Sequence, residues 1–182
     1  MNMKKTINLF TAMCALVLLS VSSFTFADSS NTSDTKEAQY FAALGFSLAT
    51  TFDTDMRRNI GFSAGELAPQ GTWKPMASVQ NTEFQGYRTS RTPKLTTYTA
   101  GANFGINEAS KLYVLGGLAD YRSTDYTGTK HNDRALSLGA GYMHNFDFGG
   151  NGLLLTIGAE TNLVDSESGQ ITHLITRVGW SF

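Results

Sequence analysis

Alternating hydrophobic and polar residues run through most of the chain after residue 40, and period-two alternation is the signal of a β-strand. The closing stretch ITHLITRVGWSF is the clearest case. Leu174, Val178 and Trp180 share one face of this predicted strand, whereas His173 and Arg177 lie on the other. The strand therefore separates two different environments.

Five other segments alternate in the same way, and they begin at Phe41, Thr96, Lys111, Arg134 and Leu153. Two weaker segments, 59–65 and 73–84, bring the number of predicted strands to eight, with Pro75 near the start of its strand or on a bulge. Each can reach roughly 9–11 residues, the length of a tilted membrane-spanning strand. In the segment that begins at Lys111 both faces carry leucine. Asp120 and Arg122 are polar, so they favour an inward position for the face that they share with Leu112 and Val114.

The connections alternate in kind as well. INEAS and FDFGGNG are short, whereas STDYTGTKHND and QGYRTSRTPKL are longer and more polar. Short turns at one end and long loops at the other are typical of outer-membrane barrels, and both chain ends then lie in the periplasm. The predicted fold is an all-β, eight-stranded, antiparallel up-and-down transmembrane β-barrel over residues 40–182.

The less apolar face of these strands is rich in Gly, Ala, Ser and Thr, which suit the narrow interior of an eight-stranded barrel. We therefore expect the apolar face to meet lipid, with aromatic girdles at both ends. The expected periplasmic girdle is Phe104, Tyr142, Phe146, Phe148, Trp180 and Phe182, and the expected outer girdle is Phe84, Tyr87, Tyr121 and Tyr126. The alternative is a soluble periplasmic barrel that binds an apolar ligand inside, as lipocalins do.

The first 27 residues differ from the rest: Lys4 and Lys5 precede an apolar core and a small-residue end, the pattern of a secretory signal peptide. Residues 28–39 are polar and predict a flexible tail. Cleavage after Ala27 would remove Cys14, the only cysteine, so neither disulfides nor a cysteine metal site is expected. It would also remove two lysines and no acid, which takes the net charge from −1 to −3 and does not favour nucleic acid.

Candidate chemistry is sparse. The three histidines, His131, His144 and His173, form neither a triad nor a metal-ligand spacing, so we expect no enzyme, no cofactor and no metal. Glu160 and Arg177 fall on the inward face of neighbouring strands, which predicts an interior ion pair; the alternative is separate solvation of both. Asp120, Arg122, Asn162 and His173 would extend that network.

Basic residues near the long loops predict contact with phosphate groups of lipopolysaccharide or with sulfated polysaccharide; the alternative is a solvated loop. They are Arg57, Arg58, Arg88, Arg91 and Lys94.

The terminal VGWSF, together with the strand pattern, resembles the small eight-stranded outer-membrane barrels of Gram-negative bacteria, the OmpX/Ail group and the membrane domain of OmpA. The resemblance covers nearly all of the mature sequence. It implies that Val178, Trp180 and Phe182 form an insertion signal for the barrel assembly machinery. It also implies an exported, monomeric, non-catalytic protein of the cell outer membrane with a structural or adhesive role, host surface molecules being possible partners. A lipid A-modifying enzyme or a small pore is less favoured.

Overall fold

A computed structural model describes residues 38–49, 56–84, 89–149, 151–163 and 170–182. The predicted signal peptide, residues 28–37, Tyr87 and Arg88 lie outside the described residues. The eight strands are β1 (Tyr40–Ala49), β2 (Met56–Glu66), β3 (Trp73–Phe84), β4 (Thr89–Gly105), β5 (Ser110–Asp125), β6 (Lys130–Asp147), β7 (Gly152–Leu163) and β8 (Gln170–Ser181). Each pairs antiparallel with the next, and β8 pairs with β1, which confirms the predicted closed barrel. Among the described residues, no helix is long and apolar enough to cross a membrane.

Both chain ends of the barrel lie at the same end as the connections 67–72, 106–109 and 148–151, and we call this the terminal end and the opposite one the loop end. The last residue closes the seam there. Tyr40 N–H donates to the carbonyl of Phe182 at 2.8 Å, and Phe182 N–H donates to the carbonyl of Tyr40 at 2.9 Å. Phe182 therefore completes the hydrogen-bonded wall that makes the barrel edgeless.

The two weak segments are strands, and their pairing is now defined. Ile60 lies opposite Asn81, and the β2–β3 register shifts between Met56 and Arg58. Pro75 is the third residue of β3, near the strand start where its missing N–H costs little.

The predicted long loops are wrong in extent. β4, β5 and β6 run for 17, 16 and 18 residues, and only residues 126–129 separate β5 from β6. Threonine and tyrosine in these stretches favour strands. Their polar side chains are compatible with continued pairing because polarity alone does not break a β-ladder.

The predicted inward and outward faces are confirmed in β1, β4, β6, β7 and β8 and wrong in β5. In β5, Tyr113 and Leu115 are buried inside, while Leu112 and Val114 are exposed outside. The neighbouring strands decide this, since Leu112 pairs with Phe104 on one side and Tyr142 on the other, and cross-strand partners share a face.

Among the described residues, two apolar layers of the barrel interior enclose a polar layer. An apolar layer near the terminal end consists of Phe41, Ala43, Leu67, Met76, Tyr113, Leu115, Met143 and Leu154. An apolar layer near the loop end consists of Phe84, Leu95, Ala119, Ala135 and Ile171, with Tyr121 packed against it. Polar residues lie between them: on β3, Ser78, Gln80 and Thr82 separate Met76 from Phe84.

This layering corrects the expected outer girdle. Phe84 is buried inside and its ring centroid lies 6.4 Å from that of His173. Tyr121 packs against the same inner layer, whereas Tyr126 is exposed on the 126–129 turn. The interior of an eight-stranded barrel is filled by side chains, so large apolar residues are used there as well as outside.

Candidate functional site

Arg177 crosses the barrel interior and joins three strands. Its Nη2 donates to Ser78 Oγ at 2.8 Å and to Gln80 Oε1 at 3.3 Å, both on β3. Gln80 Nε2 in turn donates to Ser47 Oγ on β1 at 2.8 Å. All four side chains are buried, so the hydrogen bonds hold the polar layer together away from bulk water.

Two glycines make room for this crossing. Arg177 lies opposite Gly45 of β1, which lies opposite Gly61 of β2. A Cβ added to Gly61 would lie 3.3 Å from both Nε and Nη2 of Arg177, closer than ordinary packing allows. The missing side chains therefore leave the space through which Arg177 reaches β3.

Glu160 and Arg177 are both buried in the interior, but they do not contact each other. Glu160 lies opposite His173, whereas Arg177 lies opposite Thr156. Within the described barrel, neither carboxylate oxygen of Glu160 has a hydrogen-bond partner, and Nε and Nη1 of Arg177 have none either. The predicted pair stays a proposal, as an attraction across the enclosed polar layer rather than a direct bond.

On the outward face, β3 to β6 change abruptly from apolar to charged towards the loop end. The last apolar row consists of Val79, Tyr98, Leu118 and Leu136, paired across the strands. The next row is Asn81, Thr96, Asp120 and Arg134, and the one after it is Glu83, Lys94, Arg122 and Asn132. Lys130, opposite Thr124, follows at the end of β6. We call Glu83, Lys94, Asp120, Arg122, Lys130 and Arg134 the charged belt.

The charged belt holds four cations and two carboxylates. Lys94 Nζ lies 2.8 Å from Glu83 Oε1, and Arg122 donates from Nε and Nη2 to Asp120 Oδ2 at 3.0 and 2.5 Å. Both carboxylates are thus occupied by their neighbours. Arg134 and Lys130 are exposed and have no carboxylate within ion-pair distance in the described part of the chain.

Of the basic residues predicted to bind anions, Lys94 is in the charged belt. Arg57 and Arg58 belong to β2 and Arg91 to β4, but their side chains lie outside the described ones, and Arg88 lies outside the described residues altogether. Arg122, Lys130 and Arg134 were missed. Arg122 was predicted to face inwards, and the correct parity of β5 would have placed it beside Lys94.

At the terminal end, Val178, Trp180 and Phe182 project outwards from the seam strand, as predicted. The ring of Trp73 lies 5.0 Å from that of Phe104. Tyr142, Phe146 and Phe148 are also on the outside or partly exposed there. Among the described residues, no three His, Cys, Asp or Glu side chains are grouped so as to hold a metal ion.

The closed antiparallel wall, the apolar outward face and the side-chain-filled interior define the class of eight-stranded transmembrane β-barrels. Solved structures of this class are similar to the chain. Ail, the attachment invasion locus protein of Yersinia pestis, in complex with the heparin analogue sucrose octasulfate, has a TM-score of 0.63 at 20% identity, covering 80% of this chain and 99% of that one.

Two further structures show the same fold. Ail in a phospholipid bilayer nanodisc has a TM-score of 0.58 at 18% identity, covering 80% of this chain and 100% of that one. The N-terminal β-barrel domain of Pseudomonas aeruginosa OprF has a TM-score of 0.52 at 18% identity, covering 80% and 97%. No protein-family model and no curated protein matches the chain. At these identities the likeness concerns the fold.

Proposed function

We propose that the chain is an integral outer-membrane barrel without catalysis, whose charged belt binds the phosphate groups of lipopolysaccharide. The observation that carries this proposal is the position of the belt: two charged rows follow directly on the last apolar row of β3 to β6. Cations at the upper edge of an apolar band are placed where lipid head groups begin.

The height of the apolar band supports insertion in a bilayer. From Leu174 to Phe182 the outward residues of β8 span about 27 Å along the strand, at ~3.4 Å per residue. A strand tilt of about 40° reduces this to about 21 Å along the barrel axis, close to the ~25 Å band of outer-membrane barrels. In this proposal residues 1–27 direct Sec export, the loop end faces outwards, and Val178, Trp180 and Phe182 are read by the barrel assembly machinery.

The chemistry of the belt suits phosphate. Arginine binds phosphate through two parallel hydrogen bonds, and Arg134 and Lys130 have no competing carboxylate among the described residues. Arg122 is held by Asp120, which fixes its side chain at the surface. We infer that Arg134 and Lys130 provide most of the binding energy and that Lys94 and Arg122 orient the belt.

The test compares lipopolysaccharide binding of the folded barrel with that of Arg134→Gln/Lys130→Gln. We expect the double variant to lose about tenfold or more in affinity. It should also lose most of the salt dependence of binding, because salt screens the attraction between exposed charges. Lys74→Gln is the control, because Lys74 lies at the terminal end, far from the charged belt, and the substitution removes one positive charge where the double variant removes two. Unchanged affinity and salt dependence in the double variant would disprove the belt as the site.

A second function, adhesion to sulfated polysaccharide, is favoured by one observation: similar Ail was solved with a sulfated sugar. In that case Arg57, Arg58, Arg88 and Arg91 near the loops would contact sulfate. Immobilised heparin should then retain the native barrel and release it on substitution of Arg88 and Arg91, with lipopolysaccharide binding unaffected. A soluble, ligand-filled barrel fits less well, because the interior is occupied by side chains and the large apolar residues are exposed outside.

A further inference from the structure

A shallow groove of about 500 Å³ lies on the outward face of β5, β6 and β7, towards the terminal end. Its sides are apolar and its floor is backbone. The lining residues are Leu112, Tyr113, Val114, Ala140, Gly141, Tyr142, Ile157 and Gly158.

Side-chain size produces this groove. Leu112, Tyr142 and Ile157 form one cross-strand row, and Val114, Ala140 and Ala159 form the row beyond it. Two adjacent alanines beside three large side chains leave an elongated apolar depression. An extended hydrocarbon chain matches it in polarity and shape.

A polar cluster adjoins the groove on the side of the terminal end. Ser110 lies opposite His144, one row away from Tyr142. Ser110 Oγ is 2.7 Å from Tyr142 Oη, and His144 Nδ1 is 3.1 Å from Tyr142 Oη and 3.4 Å from Ser110 Oγ. The His144 ring is fixed by Phe146, with ring centroids 4.5 Å apart.

The hydrogen bonds within the cluster leave the Nε2–H group of His144 free to donate to a ligand. When Tyr142 donates to Nδ1 of His144, the neutral imidazole carries its proton on Nε2. Nε2 has no hydrogen-bond partner among the described residues. A donor beside an apolar groove, at the end of an apolar band, matches the phosphodiester and acyl chain of one amphiphile.

We propose that the groove and the cluster bind one diacyl phospholipid of the periplasmic leaflet. An acyl chain lies along the groove between Leu112 and Val114, and the phosphodiester accepts hydrogen bonds from His144 Nε2 and from Ser110 Oγ. This site is at the end opposite the charged belt, and it rests on the proposed membrane location but not on lipopolysaccharide binding.

The test is native mass spectrometry of the detergent-solubilised full barrel titrated with phosphatidylethanolamine, which we expect to retain one lipid. Ile157→Trp fills the groove and should abolish retention. Ile60→Trp is the matched control, because Ile60 is 55% exposed and Ile157 52% exposed on the outward face, and only Ile157 lines the groove. The control should retain the lipid as the native barrel does.

The cluster is tested by removing one hydroxyl. Tyr142→Phe removes the hydrogen bond that keeps the proton of His144 on Nε2. It should therefore weaken phosphatidylethanolamine binding about fivefold, the factor that corresponds to one hydrogen bond of average strength. Tyr98→Phe, an exposed tyrosine outside the groove, should not change it. Diacylglycerol, which lacks the phosphate, should bind native and Tyr142→Phe barrels equally.

Equal retention by Ile157→Trp and Ile60→Trp, or no effect of Tyr142→Phe on phosphatidylethanolamine binding, would overturn the proposal. Heat-modifiable mobility of each variant, measured in parallel, reports folding. Insertion of the native barrel into vesicles reports the membrane location separately. A barrel that inserts but retains no phospholipid refutes this site alone, whereas one that fails to insert refutes the proposed function.

Discussion

Replacing Arg177 by methionine should destabilise the barrel strongly, because its guanidinium is the junction of the polar layer. The substitution keeps side-chain length but removes the two hydrogen bonds to Ser78 and Gln80. It also takes away the buried cation that shares the polar layer with the carboxylate of Glu160.

The size of the effect follows from these two losses. Hydrogen bonds to a charged group contribute about 1.5–3 kcal/mol each, and apolar packing of methionine regains part of that sum. Removing one member of a buried charge pair costs about 3–5 kcal/mol, so we expect a loss of this size. At an effective dielectric constant of about 20, opposite charges about 4 Å apart attract by about 4 kcal/mol, so we expect about 2 kcal/mol for Arg177 and Glu160, which are not in direct contact.

The assay is reversible urea unfolding in lipid vesicles, followed by the emission of Trp73 and Trp180, which are both on the outward face. Adding Glu160→Gln to Arg177→Met should restore about 2 kcal/mol relative to additivity. Arg122→Met is the control, since Arg122 is an exposed arginine paired with Asp120, and its effect on stability should be small beside that of Arg177→Met.

Two results would show that Arg177 does not hold the polar layer together in this way. Arg177→Met within about 0.5 kcal/mol of the native protein would mean that the polar layer is solvated like a surface. Strictly additive effects of Arg177→Met and Glu160→Gln would mean that the two charges do not interact.

Three further outcomes are expected. Leu154→Ala should cost about 2–5 kcal/mol in urea unfolding, because Leu154 is 0% exposed, whereas Leu155→Ala, 39% exposed, should cost clearly less; equal costs would contradict the assigned faces. Gly61→Ala should cost about 1–3 kcal/mol by pushing on Arg177, and should be nearly neutral once Arg177 is methionine. Asp125 lies at the exposed tip of the β5–β6 hairpin, seven residues beyond Leu118. The Thr127 hydroxyl donates a hydrogen bond to the Asp125 carboxylate and lowers the pKa of this carboxyl below 3.8. The turn is therefore stabilised above pH 3.8 and loses this stabilisation as the pH falls through the lowered pKa. The protection of the Thr127 and Thr129 amides, measured as exchange relative to an unstructured chain at the same pH, should fall only there, and Asp125→Asn should remove the transition.

The number of strands and most of their inward and outward faces could be predicted. Alternation can be read within each segment, and large polar residues mark the inward face. In β7 and β8, Glu160, Asn162, His173 and Arg177 mark one parity, and the structure buries all four. In β5 the same logic failed. Asp120 and Arg122 lie beyond the apolar band, where outward residues are charged, so their polarity did not report the interior.

The contacts of the site were less predictable because they depend on which strands face one another across the barrel. In the sequence, Ser78 is 99 residues from Arg177 and Gln80 is 97 residues from it. Their meeting depends on barrel closure and on Gly45 and Gly61, whose role is visible only once the register is known. The charged belt likewise required the cross-strand rows of β3 to β6.

The apolar face of the barrel meets lipid, and the polar face lies inside. This orientation can be measured with site-directed spin labels at successive positions of β8 from Thr172 to Trp180, in phospholipid vesicles. Collisions with membrane-dissolved oxygen should alternate with a period of two, with high values at Leu174, Thr176 and Val178 and low values at His173 and Ile175. High accessibility of Leu174 and Val178 to a water-soluble relaxation agent, or a barrel that stays soluble without lipid or detergent, would show that the apolar face does not meet lipid.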